Sequence, residues 1–248
     1  MQKQTNRDPV RLVLEGNIGA GKSTLLRILK EQRQVEIIPE PTAKWQHLTD
    51  EGNLLDLFYK DIKRWAYTFQ SNAFITRVQS IYDYENKQTN KENAIYVYER
   101  SIYCDRFCFA KNCHEQGFMN DLEWHIYKDW FLWLSAELAP TPHGFVYLRT
   151  EPETAHARIQ MRRRSEENEI SLSYLSALHQ KHEEWLVEKK VSIPHIQHVP
   201  VLVLDCNGDF ERDIVMQKAH LKAVDAFIAT YGIITPQVEK DENRSSFF

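Results

Sequence analysis

Residues Gly16-Asn17-Ile18-Gly19-Ala20-Gly21-Lys22-Ser23 complete the pattern G-x-x-x-x-G-K-[ST], and their surroundings narrow what the chain can fold into. The segment Arg11-Leu12-Val13-Leu14-Glu15 before them reads as a short apolar strand. The segment after them, from Ser23 and Thr24 to Lys30, has the apolar spacing of a helix. Strand, glycine loop and helix in that order make a phosphate cradle. The glycines permit turns closed to other residues and bring backbone N–H groups up to an oxyanion, and the helix N-terminus adds its positive dipole end. Lys22 contributes a point charge and Ser23 a hydroxyl suited to a metal ion.

With 248 residues and 42% apolar content, the chain can bury a sizeable core. A formal charge of −4 argues against general binding to nucleic acid or anionic membranes, so neither is expected as a partner and any cationic site must be local. No apolar run approaches the ~18 residues of a membrane span, and Met1 to Asp8 lack the apolar centre of a signal peptide, so a cytoplasmic location is expected. Cys104, Cys108 and Cys113 are bunched beside His114, but the spacing is not that of a zinc knuckle and the segment reads as helix, so buried thiols are expected there.

Apolar runs at Leu12–Leu14, Val35–Ile38, Ile95–Tyr98, Phe145–Leu148 and Val201–Leu204 alternate with segments long enough for helices. The pattern predicts an α/β fold, a five-stranded parallel sheet with helices on both faces. In such sheets ligands bind beyond the strands' carboxyl ends, and the residues there are polar: the phosphate loop, Pro39-Glu40-Pro41, Glu99-Arg100-Ser101, Arg149-Thr150 and Asp205. A long helix is predicted from about Ile62 to Tyr84, with Gln70, Ala73 and Arg77 on one face. Another runs from Ser101 to before Gly117. Asn120-Asp121-Leu122-Glu123 has capping-box spacing, Thr150-Glu151-Pro152-Glu153 repeats that start signal, and a last helix is predicted over about Phe210 to Thr230.

A switching GTPase would offer N-K-x-D, which is absent, and the D-x-x-G match at Asp205–Gly208 falls too late in the chain. A kinase for a small acceptor needs a metal-binding acid, a base and mobile cations. This sequence has each of these at strand ends or in a turn. From about Arg11 to Thr230 the chain resembles the deoxynucleoside kinase family, closest to its deoxycytidine and deoxyguanosine kinase branch. The marks are Glu15-Gly16-Asn17-Ile18, Pro39-Glu40-Pro41 with Trp45, Arg64-Trp65 with Thr68-Phe69-Gln70, Glu99-Arg100-Ser101 with Tyr103 and Asp105-Arg106, Glu123-Trp124 with Tyr127 and Asp129-Trp130, and the turn Arg158 to Glu167. The connection between Trp45 and Leu54 is shorter than in vertebrate members of that branch, and the C-terminal tail has no counterpart.

The resemblance implies a P-loop kinase fold over residues 11–232, flanked by an arm at 1–10 and a polar tail at 233–248, with an arginine-rich lid at about 158–167. It implies ATP or another NTP such as UTP as donor, Mg2+ as cofactor and a deoxynucleoside as acceptor. A homodimer and feedback inhibition by a deoxynucleoside triphosphate are also implied. The loop residues Gly16 to Thr24 would hold the donor phosphates, with Lys22 upon them, and Ser23 and Glu99 would hold the metal. Glu40 would take the 5′-hydroxyl proton beside Arg100, while Arg158, Arg162 and Arg164 close over the phosphates. Tyr59 and Glu167 would hold the sugar 3′-hydroxyl. Gln70, flanked by Ala73, Arg77 and Asp105, would read the base between Trp45, Leu55, Phe69 and Phe109. Asp205 and its loop would grip the donor base. Deoxycytidine, deoxyadenosine and deoxyguanosine stay unranked but ahead of thymidine. A thymidylate kinase-like monophosphate kinase, or a nucleotide-binding regulator without turnover, remains an alternative.

Overall fold

The computed structural model describes residues 8–49, 52–87, 94–190, 196–233, 235 and 237. Five strands, β1 (Val10–Gly16), β2 (Glu36–Ile38), β3 (Ile95–Glu99), β4 (Gly144–Arg149) and β5 (Val201–Asp205), form one parallel sheet in the order β2-β3-β1-β4-β5. Each coincides with an apolar run expected from the sequence.

The period-two alternation of the strands separates two cores. Val13, Tyr96, Tyr98, Phe145 and Tyr147 point to one face, where they join a cluster rich in aromatic side chains. Leu12, Leu14, Ile95, Val97, Val146 and Leu148 point to the other, which is aliphatic. The aliphatic face is covered by α1 (Lys22–Gln32) and, near the C-terminus, by the helix Ile214–Ala229. Over the aromatic face lie α2 (Ala43–Gln46), α3 (Leu54–Lys60) and α4 (Ile62–Lys87), then α5 (Ile102–Cys104), a π-helical stretch at Asp105–Ala110, α6 (Lys111–Glu115) and α7 (Asp121–Glu137). The chain continues through α8 (Pro152–Arg162), a 3₁₀ turn at Ser165–Glu167 and α9 (Leu172–His182), and ends its helices with α10 (Ile214–Ala229).

The start signals explain most helix boundaries. The capping box at Asn120 and Glu123 is fully formed, with Asn120 accepting from the Glu123 N–H and Glu123 accepting from the Asn120 N–H, both at 2.9 Å. Thr150 does not repeat it. Glu151 precedes α8 without a side-chain cap, Pro152 opens the helix, and the Thr150 hydroxyl instead donates to the Ala20 carbonyl of the glycine loop. The last helix starts at Ile214 rather than near Phe210, because the Asp213 carboxylate accepts from the Val215 and Met216 N–H groups and caps it there. Ile233 is buried in the aliphatic core and Gln237 bridges to Arg33; residues 238–248 lie outside the described residues, as do residues 1–7 of the expected arm.

Candidate active site

The glycine loop leaves β1 and enters α1 with Gly16, Gly19 and Gly21 at φ 148, 80 and 96°, the left-handed territory that only glycine occupies without strain. Gly19 passes so close to α8 that an added Cβ would lie 2.5 Å from the Ala155 carbonyl oxygen. Asn17 holds the loop from behind, donating to the Leu175 carbonyl of α9 at 2.9 Å and accepting from the Ile18 N–H. Lys22 turns its Nζ inward onto the Gly16 and Asn17 carbonyls, at 3.1 and 2.9 Å. Burial, and then the nearby Arg100 charge, lower its pKa to about 8.

Beside the loop, the Ser23 hydroxyl donates to Glu99 Oε1 at 2.9 Å, joining the start of α1 to the end of β3. A hydroxyl and a carboxylate side by side at the mouth of a phosphate cradle are hard oxygen donors, the kind Mg2+ takes together with phosphate oxygens. These two residues therefore fit the metal the resemblance implies.

Glu40, two residues past the end of the second strand's apolar run, is held by two guanidinium groups. Arg77 Nη2 donates to Glu40 Oε1 at 2.6 Å and Arg100 Nε donates to the same oxygen at 3.1 Å. Burial alone would raise the Glu40 pKa, but Arg100, Arg77 and Lys22 together hold it down to about 2. Arg100 takes a left-handed backbone, φ 66°, which a non-glycine residue adopts only when its surroundings impose it. Its N–H donates to the Leu14 carbonyl, Nη1 donates to the Gly16 carbonyl at 3.1 Å, and Nη1 also lies 3.3 Å from Cys104 Sγ. Behind it Cys104, Cys108 and His182 bring three ligand-type atoms within 4.8 Å of one another, all fully buried. No fourth such ligand joins them among the described residues. His182 Nδ1 donates to the Leu178 carbonyl, which leaves Nε2 to accept from the Cys104 thiol at 3.4 Å, so ordinary hydrogen bonding accounts for the cluster. His114, the histidine adjacent in sequence to the cysteines, instead stacks on Trp124.

Arg77 also forms a two-bond pair with Asp105, Nε to Oδ2 at 2.7 Å and Nη2 to Oδ1 at 3.1 Å. Burial opposes the guanidinium charge of Arg77, but Asp105 and Glu40 more than reverse that and raise its pKa. Gln70 lies on the same face of α4, its amide nitrogen 3.8 Å from Cys113 Sγ. One cavity collects Glu40, Trp45, Leu55, Tyr59, Phe69, Gln70, Ala73, Arg77, Arg100, Asp105, Phe109 and Glu167, which are all of the residues expected at the acceptor site. It also takes in residues not expected there, among them Phe58, whose ring stacks on Phe69 at 4.5 Å, and Gln46 and Glu166.

A second cavity adjoins the first through Gly19, Lys22, Ser23 and Arg162, and is lined further by Thr24, Arg158 and the turn after β5. Asp205 does not line it. Its carboxylate accepts from the Asn207 N–H and side-chain amide at 3.0 and 2.8 Å and so fixes the turn, while Asn207, Asp209, Phe210 and Arg212 form the wall. The lid arginines are already paired, contrary to the mutual repulsion their spacing suggests. Arg162 makes a two-bond pair with Glu167, Arg164 lies 3.6 Å from the same carboxylate, and Arg158 donates to the Asn207 and Gly208 carbonyls.

A parallel sheet with a glycine-loop cradle opening onto two joined cavities, one of them holding a guanidinium-bound carboxylate, defines a P-loop phosphotransferase. Residues 12–229 match the family described as deoxynucleoside kinase. The chain is 41% identical over 240 residues to deoxycytidine kinase 2 of Gallus gallus, covering 89% of this chain and 91% of that one. It is 39% identical over 221 residues to deoxycytidine kinase of Homo sapiens, covering 81% and 85%. To the mitochondrial deoxyguanosine kinase of Xenopus laevis it is 36% identical over 237 residues, covering 88% and 89%. The chain belongs to the deoxynucleoside kinase family and is a phosphotransferase acting on deoxynucleosides.

Proposed function

We propose that this kinase moves the γ-phosphoryl of ATP, or another nucleoside triphosphate, to the 5′-hydroxyl of deoxycytidine, deoxyadenosine or deoxyguanosine in preference to thymidine. The observation that carries the preference is the buried Arg77–Asp105 pair beside Gln70 in the acceptor cavity. A carboxylate on that wall accepts from the exocyclic amino group of cytosine or adenine, and the Gln70 amide donates and accepts along the same edge. Arg77 can serve the guanine carbonyl. Thymine brings an acceptor oxygen to the carboxylate and a methyl group to Arg77, a mismatch of roughly 1–3 kcal/mol for each unsatisfied group. A panel of kcat/KM values for the four deoxynucleosides tests this: thymidine should fall at least about tenfold below the best substrate, or ~1.4 kcal/mol. Equal turnover of thymidine would overturn it.

In this reading Glu40 accepts the hydrogen bond of the 5′-hydroxyl. A carboxylate with a pKa near 2 is a weak base, so it takes the proton late, after the new bond to phosphorus has acidified the hydroxyl. Arg100 orients both. Lys22 leaves its loop carbonyls for the donor phosphates, whose charge keeps it protonated, and Arg158, Arg162 and Arg164 turn to the transferring group. Ser23 and Glu99 would hold Mg2+, which supplies charge neutralisation between the phosphates when bound. Tyr59 and Glu167 hold the sugar 3′-hydroxyl.

A monophosphate kinase would need free cations for the acceptor phosphate, and Arg77 and Arg100 are instead paired with Asp105 and Glu40. The reading includes a homodimer, supported by the solvent-facing Leu122, Trp130 and Trp133 of α7. It also includes feedback inhibition by a deoxynucleoside triphosphate spanning the two adjoining cavities. A cytoplasmic location completes it; among the described residues no helix is long and apolar enough to cross a membrane.

A further inference from the structure

The two acidic residues of the turn Ser165–Glu167 have divided their partners. Glu167 is buried and takes two of the three lid arginines, Arg162 and Arg164. Glu166, partly exposed, reaches the opposite way, to the connection between α2 and α3. Its Oε1 accepts from Gln46 Nε2 at 2.8 Å and from Asn53 Nδ2 at 3.4 Å, and Oε2 accepts from the Ser165 hydroxyl at 3.1 Å. Gln46 and Glu166 both line the acceptor cavity and both retain solvent exposure, which puts the bridge at its rim.

Both partners are tied to cavity walls. Gln46 ends α2 directly after Trp45, whose indole nitrogen donates to the Thr76 hydroxyl at 2.8 Å. Asn53 caps α3 with its side-chain oxygen, which accepts from the Asp56 N–H at 2.9 Å, and that leaves its amide nitrogen for Glu166. Helix α3 carries Leu55 and Tyr59 into the same cavity. One carboxylate therefore joins the lid turn to the segments that bear the wall residues.

All three side-chain donors to Glu166 are neutral, whereas the neighbouring Glu167 is held by guanidinium groups. Hydrogen bonds from neutral amides to a partly exposed carboxylate are strong enough to bias a closed arrangement and weak enough to break within a turnover. We propose that Gln46, Asn53 and Glu166 form a latch that closes the acceptor cavity and sets the rate of nucleoside exchange. Glu166 acts as a positioning residue, touching the lid and the cavity rim rather than the reacting atoms. The inference rests on the deoxynucleoside reading of the cavity for its kinetics, but not for the bridge itself.

The test is Gln46→Leu, which keeps the volume and removes the donor, with Glu166→Ala and the double variant alongside. In ligand-free enzyme, hydrogen exchange at the Glu167 and Ile170 amides, which donate to the Arg164 and Glu167 carbonyls, should accelerate about three- to tenfold in either single variant and no further in the double. Stopped-flow tryptophan fluorescence should report deoxycytidine leaving faster by a similar factor, about three- to tenfold, with KM raised and kcat unchanged or higher. Unchanged exchange in Gln46→Leu overturns the latch, whatever the substrate. A fall in kcat at constant KM overturns it too, because Glu166 would then act on the chemistry. Wild-type enzyme that binds none of deoxycytidine, deoxyadenosine and deoxyguanosine would overturn the base reading and leave the latch to be decided by the exchange result.

Discussion

Arg77 and Glu40 are joined by a 2.6 Å hydrogen bond, so the guanidinium that pairs with Asp105 on the base side also holds the carboxylate beside the phosphate loop. In the proposed reading, base selection and the reacting hydroxyl thus share one cation. The consequence for variants is that altering the base-side charges disturbs the chemistry as well.

Arg77→Met together with Asp105→Ala should improve thymidine relative to deoxycytidine in kcat/KM. It should also lower kcat for both, because Glu40 loses one of its two guanidinium partners and keeps only Arg100. Arg77→Met alone leaves Asp105 buried without its cation and should destabilise the fold by about 3–5 kcal/mol. Asp105→Ala alone should be milder, since Arg77 retains Glu40. Urea denaturation and kcat values for both nucleosides separate these outcomes; an altered preference with full kcat would refute the shared role.

Glu40→Gln keeps the shape and removes the charge, and kcat should fall by about 10² or more with a smaller change in nucleoside binding. Stability offers an independent check. The folded pKa of Glu40, about 2, lies below its ordinary value of 4.5, so its contribution is fully present above about pH 4.5 and disappears as the pH falls through about 2. Wild type should therefore lose up to about 3 kcal/mol more than Glu40→Gln between pH 5 and pH 2. Parallel stability curves would show that the two arginines do not hold Glu40 in solution.

Gly19→Ala should act on the donor rather than the acceptor. The new methyl would meet the Ala155 carbonyl oxygen at 2.5 Å, a backbone atom that moves only if α8 moves, and φ 80° adds roughly 1–2 kcal/mol of strain. Helix α8 carries Arg158 and Arg162, so ATP affinity should drop at least about tenfold, while deoxynucleoside affinity stays within about threefold. Gly21→Ala, at φ 96°, meets the buried Phe210 ring at 2.8 Å, a side chain rather than the backbone of α8, and should cost less. Equal losses of ATP binding in the two variants would contradict the argument.

What the sequence could disclose follows from how local the cause is. The strands and the glycine loop are written in contiguous residues, and all five runs became strands. The capping box at Asn120 is equally local, but Thr150 carried the same spacing and was diverted by a nearby loop carbonyl that no local pattern reveals. Phe58 is indistinguishable from core in sequence, and only the folded structure, where it stacks on Phe69, brings it to the cavity wall. The donor-base role of Asp205 came from the family resemblance, and no local pattern shows that its carboxylate accepts from Asn207 two residues on. The Arg77–Glu40 bond and the Gln46–Glu166 bridge join residues 37 and 120 positions apart, and nothing in either neighbourhood encodes them.

The lid is the last case, and there the pairing changes the expectation. Arg162, Arg163 and Arg164 look self-repelling in sequence, but in the structure Glu167 neutralises Arg162 and Arg164, and Arg163 ends α8 at φ 51°. In the proposed reading, nucleotide binding exchanges one anion for another: phosphates take the arginines and Glu167 is released toward the cavity it lines. Hydrogen exchange across residues 158–167 should slow when the donor site is saturated with ATP. Glu167→Gln, which frees the arginines in advance, should bind ATP more tightly, by about three- to tenfold, while its affinity for deoxynucleoside falls. If exchange across the lid is unchanged by saturating ATP, or if Glu167→Gln weakens ATP binding, then the Glu167 pair is structural and the arginines do not turn to the phosphates.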